Sequence, residues 1–162
     1  MRNHWKVKLL IGTIGVALLG TNSVRAADKS EEEAIAAVSA QFYAALNATF
    51  KGQMGPMDEV WSHADDVTYM GPTGTMQVGW KKVRANWEMQ AELHFAGEVK
   101  PEKLRVHAGS EIAVTCGFEV GENTVDGKVQ KVSIRATNIY RKENGHWKMI
   151  GHHTDLLPFL DK

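Results

Sequence analysis

The stretch FYAALNA, residues 42–48, continues an apolar repeat that runs from Ile35 to Leu46. Apolar residues three or four positions apart share one face of an α-helix, so this spacing predicts an amphipathic helix. DDVTYMGP, residues 65–72, predicts a short strand that ends at a proline, and residues 135–155 predict a terminal β-hairpin around an Asn-Gly dipeptide. Elements in this order can wrap one sheet around a small apolar pocket.

The remaining elements are predicted from capping and periodicity. Ser30 to Glu33 is a capping box that predicts the start of the first helix. In chain order we further predict a helix from Met57 to about His63, strands Val67–Met70 and Thr75–Val78, a helix from about Gly79 to Phe95, and strands Leu104–His107, Ile112–Val120, Val129–Arg141 and Trp147–Thr154. Helices first and a strand meander last favour an α+β fold.

Residues 1–26 have the pattern of a secretory signal peptide. A basic start precedes an apolar stretch over residues 9–19, which is too short to span a bilayer, and small residues stand before position 27. We therefore predict that residues 27–162 form a single exported domain, secreted or periplasmic, with no membrane association after cleavage. An uncleaved membrane anchor is the alternative.

Composition argues against several classes of function. Acidic and basic residues number 19 each, and four of the basic ones lie in the predicted signal peptide. No basic cluster occurs beyond residues 81–84, so we do not expect nucleic acid as a partner. Cys116 is the only cysteine, which rules out an internal disulfide and a cysteine zinc motif. No HExxH or calcium-loop pattern occurs, and we expect no metal and no cofactor.

The sequence after residue 26 resembles the nuclear transport factor 2-like superfamily, specifically its SnoaL-like and ketosteroid-isomerase-like branch. The resemblance rests on YAALNA at 43–48, Ala64-Asp65-Asp66, Gly71-Pro72, Gly79 and Gly145-His146-Trp147, in this order. It implies a cone-shaped α+β fold with three N-terminal helices packed on a strongly curved antiparallel sheet. Relatives commonly pair as homodimers through the outer sheet face. The fold hosts isomerases, dehydratases and non-catalytic assembly domains, so it implies no single activity.

Steroid isomerases of this branch use a helix tyrosine and two aspartates. The resemblance places these three roles at Phe42, Gly71 and Thr137, and none of these residues has the required group. Tyr43 follows Phe42 directly, and we expect that it reaches the pocket only if the helix turns by about 100°. We therefore predict that the protein is not a ketosteroid isomerase.

The same resemblance sets the direction of the pocket side chains. If Thr137 faces the interior, Arg135 does too, because alternate residues of a strand share a face. A two-residue hairpin loop would place His152 opposite Thr137, and a one-residue bulge would exchange it for His153. The other predicted pocket residues are Tyr69, Trp61, Trp87, Cys116 and Phe118.

An apolar, aromatic pocket of this kind suits a small organic molecule with one anionic or carbonyl oxygen. Arg135 is the predicted anchor for that oxygen, unless a protein acid such as Asp66 pairs with it. His152 is the candidate general base, unless it only satisfies a hydrogen bond. The alternate set from Val132 to Tyr140 would form an apolar outer face and a homodimer interface.

Three functions stay open on the sequence. The first is a SnoaL-like enzyme that transforms a small organic molecule by acid–base chemistry. The second is a non-catalytic binder of such a molecule, and the third is a dimeric assembly or interaction domain.

Overall fold

Three helices cover one face of a six-stranded sheet in the computed structural model, which describes residues 21–125 and 127–160. The elements are α1 (Thr21–Thr49), α2 (Gly55–Val60), β1 (Thr68–Met70), β2 (Met76–Val78), α3 (Trp80–Glu92), β3 (Gly97–Ala108), β4 (Ile112–Val125), β5 (Lys128–Glu143), β6 (His146–Thr154) and a 3₁₀ turn, Pro158–Leu160. The α+β class and the three predicted helices are confirmed.

The sheet is mixed, with the strand order β2-β1-β6-β5-β4-β3. β1 lies parallel to β6 and sets Tyr69 beside His152, whereas the other neighbouring strands are antiparallel. The predicted antiparallel sheet therefore has one exception, the parallel pair of β1 and β6. Four strands and a helix separate β1 from β6 along the chain, so no hairpin constrains their relative direction.

Helix α1 begins before the predicted capping box. Its backbone is helical from Thr21, so Ser30 lies inside the helix and the prediction of Ser30 as its N-cap is wrong. Residues 21–30 contain no glycine or proline that would stop a helix. Most of the predicted signal peptide, residues 1–20, lies outside the described residues. Within the described part of the chain, no helix is both long and apolar enough to cross a membrane.

Asn47 ties the end of α1 to the edge strand β3. Its Nδ2 donates a hydrogen bond to the carbonyl oxygen of Val99, and the Val99 N–H donates to its Oδ1, both at 2.9 Å. The side chain thus takes the place of a neighbouring strand for a buried residue of β3. This role accounts for a polar residue at the end of the apolar stretch FYAALNA.

The β5–β6 hairpin turns on Asn144 and Gly145, whose φ angles of 51° and 81° suit a two-residue loop. Its register then shifts by one residue, because Ile150 is inserted between the positions that face Tyr140 and Ile139. The bulge places His152 opposite Asn138, and Thr137 opposite His153. The predicted alternative in which a bulge sets His153 opposite Thr137 is therefore confirmed, and the pairing of Thr137 with His152 is wrong.

The faces of β5 are the reverse of those predicted. The side chains that point toward the helices are Val132, Ile134, Ala136, Asn138 and Tyr140, all of them buried. Arg135 and Ile139 belong to the opposite, outer face, as does Thr137. The larger apolar set of a strand with one covered face packs against the core. The prediction that Thr137, and with it Arg135, faces the interior is therefore wrong.

Candidate ligand-binding site

A small inner cavity lies between the helices and the sheet, with a volume of about 30 Å³. It is lined by Leu46, Phe50, Tyr69, Pro72, Trp87, Gln90, Phe95, Val99, Glu119, Asn123, Val132, Ile134, His152, Leu157 and Leu160. Such a space holds one or two waters or a single small functional group. The interior is therefore nearly filled by the protein's own side chains.

A larger vestibule of about 320 Å³ adjoins the inner cavity. Its walls are Pro72, Thr73, Asn86, Met89, Gln90, Leu93, Phe95, Thr124, Val125 and Leu160, of which Pro72, Gln90, Phe95 and Leu160 also line the inner cavity. This volume lies at the lower end of the range for small-molecule sites. The two spaces together can take an apolar body with a small polar end.

Glu119 of β4 is a buried acid on the floor of the inner cavity. Only 4% of the residue is exposed, and its Oε1 has no hydrogen-bond partner among the described residues. Burial raises the pKa of its carboxyl to about 7, while a hydrogen bond from the Tyr43 hydroxyl acts in the opposite direction. The group can therefore take up or release a proton near neutral pH.

His152 lies beside Glu119 as a neutral imidazole. Burial, aided by the charge of His153, lowers the pKa of its ring to about 3. Its Nδ1 lies 2.6 Å from Asn138 Oδ1, and a carbonyl oxygen accepts, so Nδ1 carries the proton. Its Nε2 is then an acceptor, 3.8 Å from Glu119 Oε1. That distance is too long for a hydrogen bond, and a neutral imidazole forms no ion pair with the carboxyl.

Tyr43 and Asn138 lie near these two groups. Burial raises the pKa of the Tyr43 hydroxyl, and Glu119 and Asn138 both act on it electrostatically. Asn138 in turn lies in hydrogen-bond contact with His152. Tyr43 lies in the interior but lines neither cavity. Phe42 and Tyr43 are both buried, because the sheet and the other helices cover a wide arc of α1.

Three of the four predicted aromatic residues, Tyr69, Trp87 and Trp61, lie in the interior. Tyr69 and Trp87 line the inner cavity, with ring centroids 4.7 Å apart, and the Tyr69 ring stacks on His152 at 5.6 Å. The Gln90 side-chain nitrogen donates to the Tyr69 hydroxyl at 2.9 Å. Trp61 is buried beside Trp87 but does not line either cavity. It supports the wall from behind.

Arg135 lies on the solvent side of the sheet, so its predicted place in the pocket is wrong. Its side chain is 76% exposed and pairs with Asp155, with Nη2–Oδ1 and Nε–Oδ2 distances of 2.7 and 2.8 Å. Asp66, the alternative partner, instead pairs with Arg141. The cavity therefore has no guanidinium anchor at this position, and its charged group is the acid Glu119.

Thr137, Cys116 and Phe118 also lie on the outer face, and their predicted interior placement is wrong. Cys116 faces Thr137 across the β4–β5 pair, where the threonine hydroxyl donates to its Sγ at 3.9 Å. Phe118 is 39% exposed beneath the Lys103 ammonium. Their phase follows that of β5, since neighbouring strands point paired residues to the same face.

Gly71 has no room for a side chain. A Cβ at this position would lie 2.0 Å from the Tyr69 hydroxyl oxygen. The position where the resemblance places a proton-transferring aspartate is thus occupied by the tyrosine ring. Thr137, which the resemblance places at the second aspartate, has Asn138 as its neighbour on the inner face.

The site residues predicted from the sequence do not include Glu119, Asn138, Tyr43 or Gln90. One signal for Glu119 was available in β4, where glycines occur two positions before and two after it. A Cβ on Gly121 would lie 1.9 Å from the Glu98 carbonyl oxygen of β3, which shows a close approach of the two strands on the inner side. Glycines in one phase of a strand indicate such an approach. Across the described residues, no group of three or more metal-binding side chains occurs.

Comparison with known proteins agrees with this architecture. An NTF2-like protein of Streptomyces avermitilis, provisionally named a dehydratase, has a TM-score of 0.70 at 16% identity, covering 80% of this chain and 98% of its own. A provisionally named ketosteroid isomerase of Shewanella frigidimarina gives 0.61 at 17% identity, covering 73% and 91%. Identities this low show the fold alone.

A third structure, from Thiobacillus denitrificans, is provisionally named a calcium/calmodulin-dependent protein kinase type II association domain. It has a TM-score of 0.61 at 27% identity and covers 75% of this chain and 93% of its own. No curated protein matches the sequence significantly. The family model of the SnoaL-like domain matches residues 35–156, from the first buried residue of α1 to the segment after β6. The chain belongs to the SnoaL-like domain family.

Proposed function

We propose that the protein binds a small, largely apolar organic molecule and exchanges a proton with its polar end. The body of the molecule occupies the vestibule, and its polar end enters the inner cavity against Glu119 and His152. The observation that carries this proposal is the buried, unpartnered Oε1 of Glu119 at the cavity floor. A buried acceptor without a partner is costly, and a ligand donor would satisfy it.

Acid–base chemistry is supported by the protonation behaviour of the two groups. A carboxyl whose pKa lies at about 7 is partly ionised at neutral pH, so it can both accept and return a proton. The neutral His152 offers Nε2 as a second acceptor on the same side. We do not propose steroid isomerisation, because Phe42, Gly71 and Thr137 lack the hydroxyl and the carboxyls that this reaction uses.

Filling the vestibule tests the proposal. Met89 of α3 lines the vestibule and is half exposed, so Met89→Trp should fill the space without disturbing the core. Glu92→Trp on the same helix lies outside both linings and is the matched control. Native mass spectrometry should find co-purified small molecules on the wild type and on the control but not on Met89→Trp.

Calorimetric titration with naphthylmethanol supplies a defined probe for the same variants. We expect saturable binding to the wild type and to Glu92→Trp. The affinity of Met89→Trp should be at least about tenfold lower, because the body of the ligand has no remaining space. Equal binding of naphthylmethanol by Met89→Trp and by the wild type would contradict the proposed site.

Assembly through the outer sheet face is a second candidate function. The face presents the apolar residues Val114, Cys116, Phe118 and Ile139, all at least partly exposed, and the similar Thiobacillus denitrificans structure is named as an association domain. We propose a homodimer through this face. Phe118→Asp should then halve the mass measured by light scattering, whereas Val129→Asp, exposed near the start of β5, should not.

Export is also proposed, on the pattern of residues 1–26. Expression in a bacterial host followed by fractionation should give a secreted or periplasmic protein whose N-terminus is Ala27. Recovery of the intact N-terminus in a soluble cytoplasmic fraction would contradict this.

A further inference from the structure

Two hydrogen-bond acceptors face one another at the floor of the inner cavity. His152 donates from Nδ1 to Asn138, which leaves its Nε2 with a lone pair. Glu119 presents its unpartnered Oε1 to that lone pair across 3.8 Å. Because neither atom supplies a proton when Glu119 is ionised, the gap calls for a group that carries two donors.

The walls around this gap add no positive charge. Among the described residues that line the inner cavity and the vestibule, none is lysine or arginine. The rings of Tyr69 and Trp87 stand beside His152, and aromatic faces attract cations. The Gln90 side-chain nitrogen is already engaged, since it donates to Tyr69 and to Asn86. An anionic end would meet Glu119 without a compensating charge.

The size of the inner cavity limits the head group further. A volume of about 30 Å³ accommodates a group comparable with one or two waters. A hydroxyl is small enough but has one proton to donate, so it leaves one of the two acceptors unpaired. An ammonium group is equally small and donates to both.

We propose that the ligand of this site carries a primary amine, held as an ammonium between the Glu119 carboxylate and His152 Nε2 with its apolar body in the vestibule. This inference deepens the proposed function and rests on it. It replaces the ligand with an anionic or carbonyl oxygen expected at Arg135, because the charged group of the cavity is an acid. Glu119 selects the amine over a neutral head group, because the hydrogen bond between an ammonium and a carboxylate is stronger than the one that a neutral donor makes.

Three probes with one apolar body test the head group: naphthylmethylamine, naphthylmethanol and naphthoate. Titration calorimetry at pH 7.5 on the wild type should give the tightest binding for the amine, at least about tenfold tighter than for the alcohol, with naphthoate the weakest. Glu119→Gln keeps the shape but removes the charge, so the advantage of the amine over the alcohol should vanish. Glu122→Gln, an exposed acid on the same strand, should retain it.

The outcomes separate the two proposals. Naphthoate or naphthylmethanol binding as tightly as the amine would overturn the amine inference and leave the proposed site standing. Unchanged amine binding in Glu119→Gln would overturn it as well. If none of the three probes binds the wild type, both proposals fail. The order of the wild-type affinities decides the question even if Glu119→Gln does not fold.

Discussion

Replacing Glu119 with glutamine should stabilise the protein at neutral pH and should expose a pH dependence that the wild type conceals. The folded state raises the pKa of this carboxyl from its ordinary 4.5 to about 7. Between these values the folded protein holds a proton that the unfolded chain has released, so the free energy of unfolding falls as the pH rises. At about 1.4 kcal/mol per pH unit, the fall over this interval is about 3.4 kcal/mol.

His152 has the opposite effect. Burial lowers the pKa of its ring from the ordinary 6.5 to about 3. Between these values the unfolded chain holds a proton that the folded protein lacks, so the free energy of unfolding rises with pH. The same conversion gives a rise of about 4.8 kcal/mol.

In the wild type, the fall in the free energy of unfolding due to Glu119 and the rise due to His152 cancel between about pH 4.5 and 6.5. Glu119→Gln should remove the falling one, so that stability rises from pH 3 to 6.5 and exceeds that of the wild type by about 3 kcal/mol above pH 7. His152→Gln should instead show a fall from pH 4.5 to 7. The buried tyrosines near the pair, Tyr43, Tyr69 and Tyr140, have pKa values raised by burial and stay neutral throughout, and the charge of His153 also acts on His152.

Urea unfolding followed by tryptophan fluorescence, at half-unit steps from pH 3.5 to 8, measures these curves. Glu122→Gln on the same strand is the control for the substitution itself. Asp66 and Asp155 have pKa values lowered by their arginine partners, so their contribution to the stability of the protein is lost as the pH falls. This loss is the same in every variant and therefore cancels when the variants are compared. A difference between wild type and Glu119→Gln that stays constant from pH 4.5 to 7 would refute the reasoning.

Three further substitutions test the architecture. Asn47→Ala removes both hydrogen bonds to the buried backbone of Val99 and should cost about 2–3 kcal/mol in urea unfolding. Gly71→Ala sets a methyl group against the Tyr69 hydroxyl and should cost about 1–3 kcal/mol, with a weaker affinity for naphthylmethanol. Arg135→Ala should leave naphthylmethanol binding unchanged in calorimetry, because that side chain lies in solvent on the outer face.

Matched controls accompany these variants. Gln53→Ala removes an exposed amide shortly after α1, and Gly55→Ala adds a methyl group with no atom within 4 Å. Both should be close to neutral. Equal losses in Asn47→Ala and Gln53→Ala would show that the tie to β3 carries no stability. A loss of ligand binding in Arg135→Ala would return that residue to the site.

The faces of β5 could have been predicted from the sequence alone. Val132, Ile134 and Ala136 alternate with Ser133 and Arg135, and this period-two pattern places the apolar set in the core. The structure follows the pattern. The error arose because the phase was taken from a resemblance at Thr137, which is a weaker indicator than the local alternation of apolar and charged residues.

The faces of β4 could not have been predicted in the same way. Its more apolar set, with Val114 and Phe118, points outward, whereas Thr115 and Glu119 point inward. What fixes this phase is the pairing with β5, in which Phe118 faces Arg135. Register between strands is a non-local property, and a slip of one residue exchanges the two faces completely. The alternation of apolar residues in β4 therefore did not reveal the acid at the centre of the site, and the flanking Gly117 and Gly121 were the one local signal for it.

His152 was expected in the interior, and it lies there for a different reason. The expectation combined a reversed phase on β5 with a hairpin free of bulges, and each assumption is wrong. With Asn138 on the inner face, an unbroken hairpin register would have set Gly151 opposite it and turned His152 outward. The inserted Ile150 restores the imidazole to the cavity, opposite Asn138. One residue of register thus creates the facing acceptors of Glu119 and His152, and bulges of this kind often re-aim a side chain at a functional site.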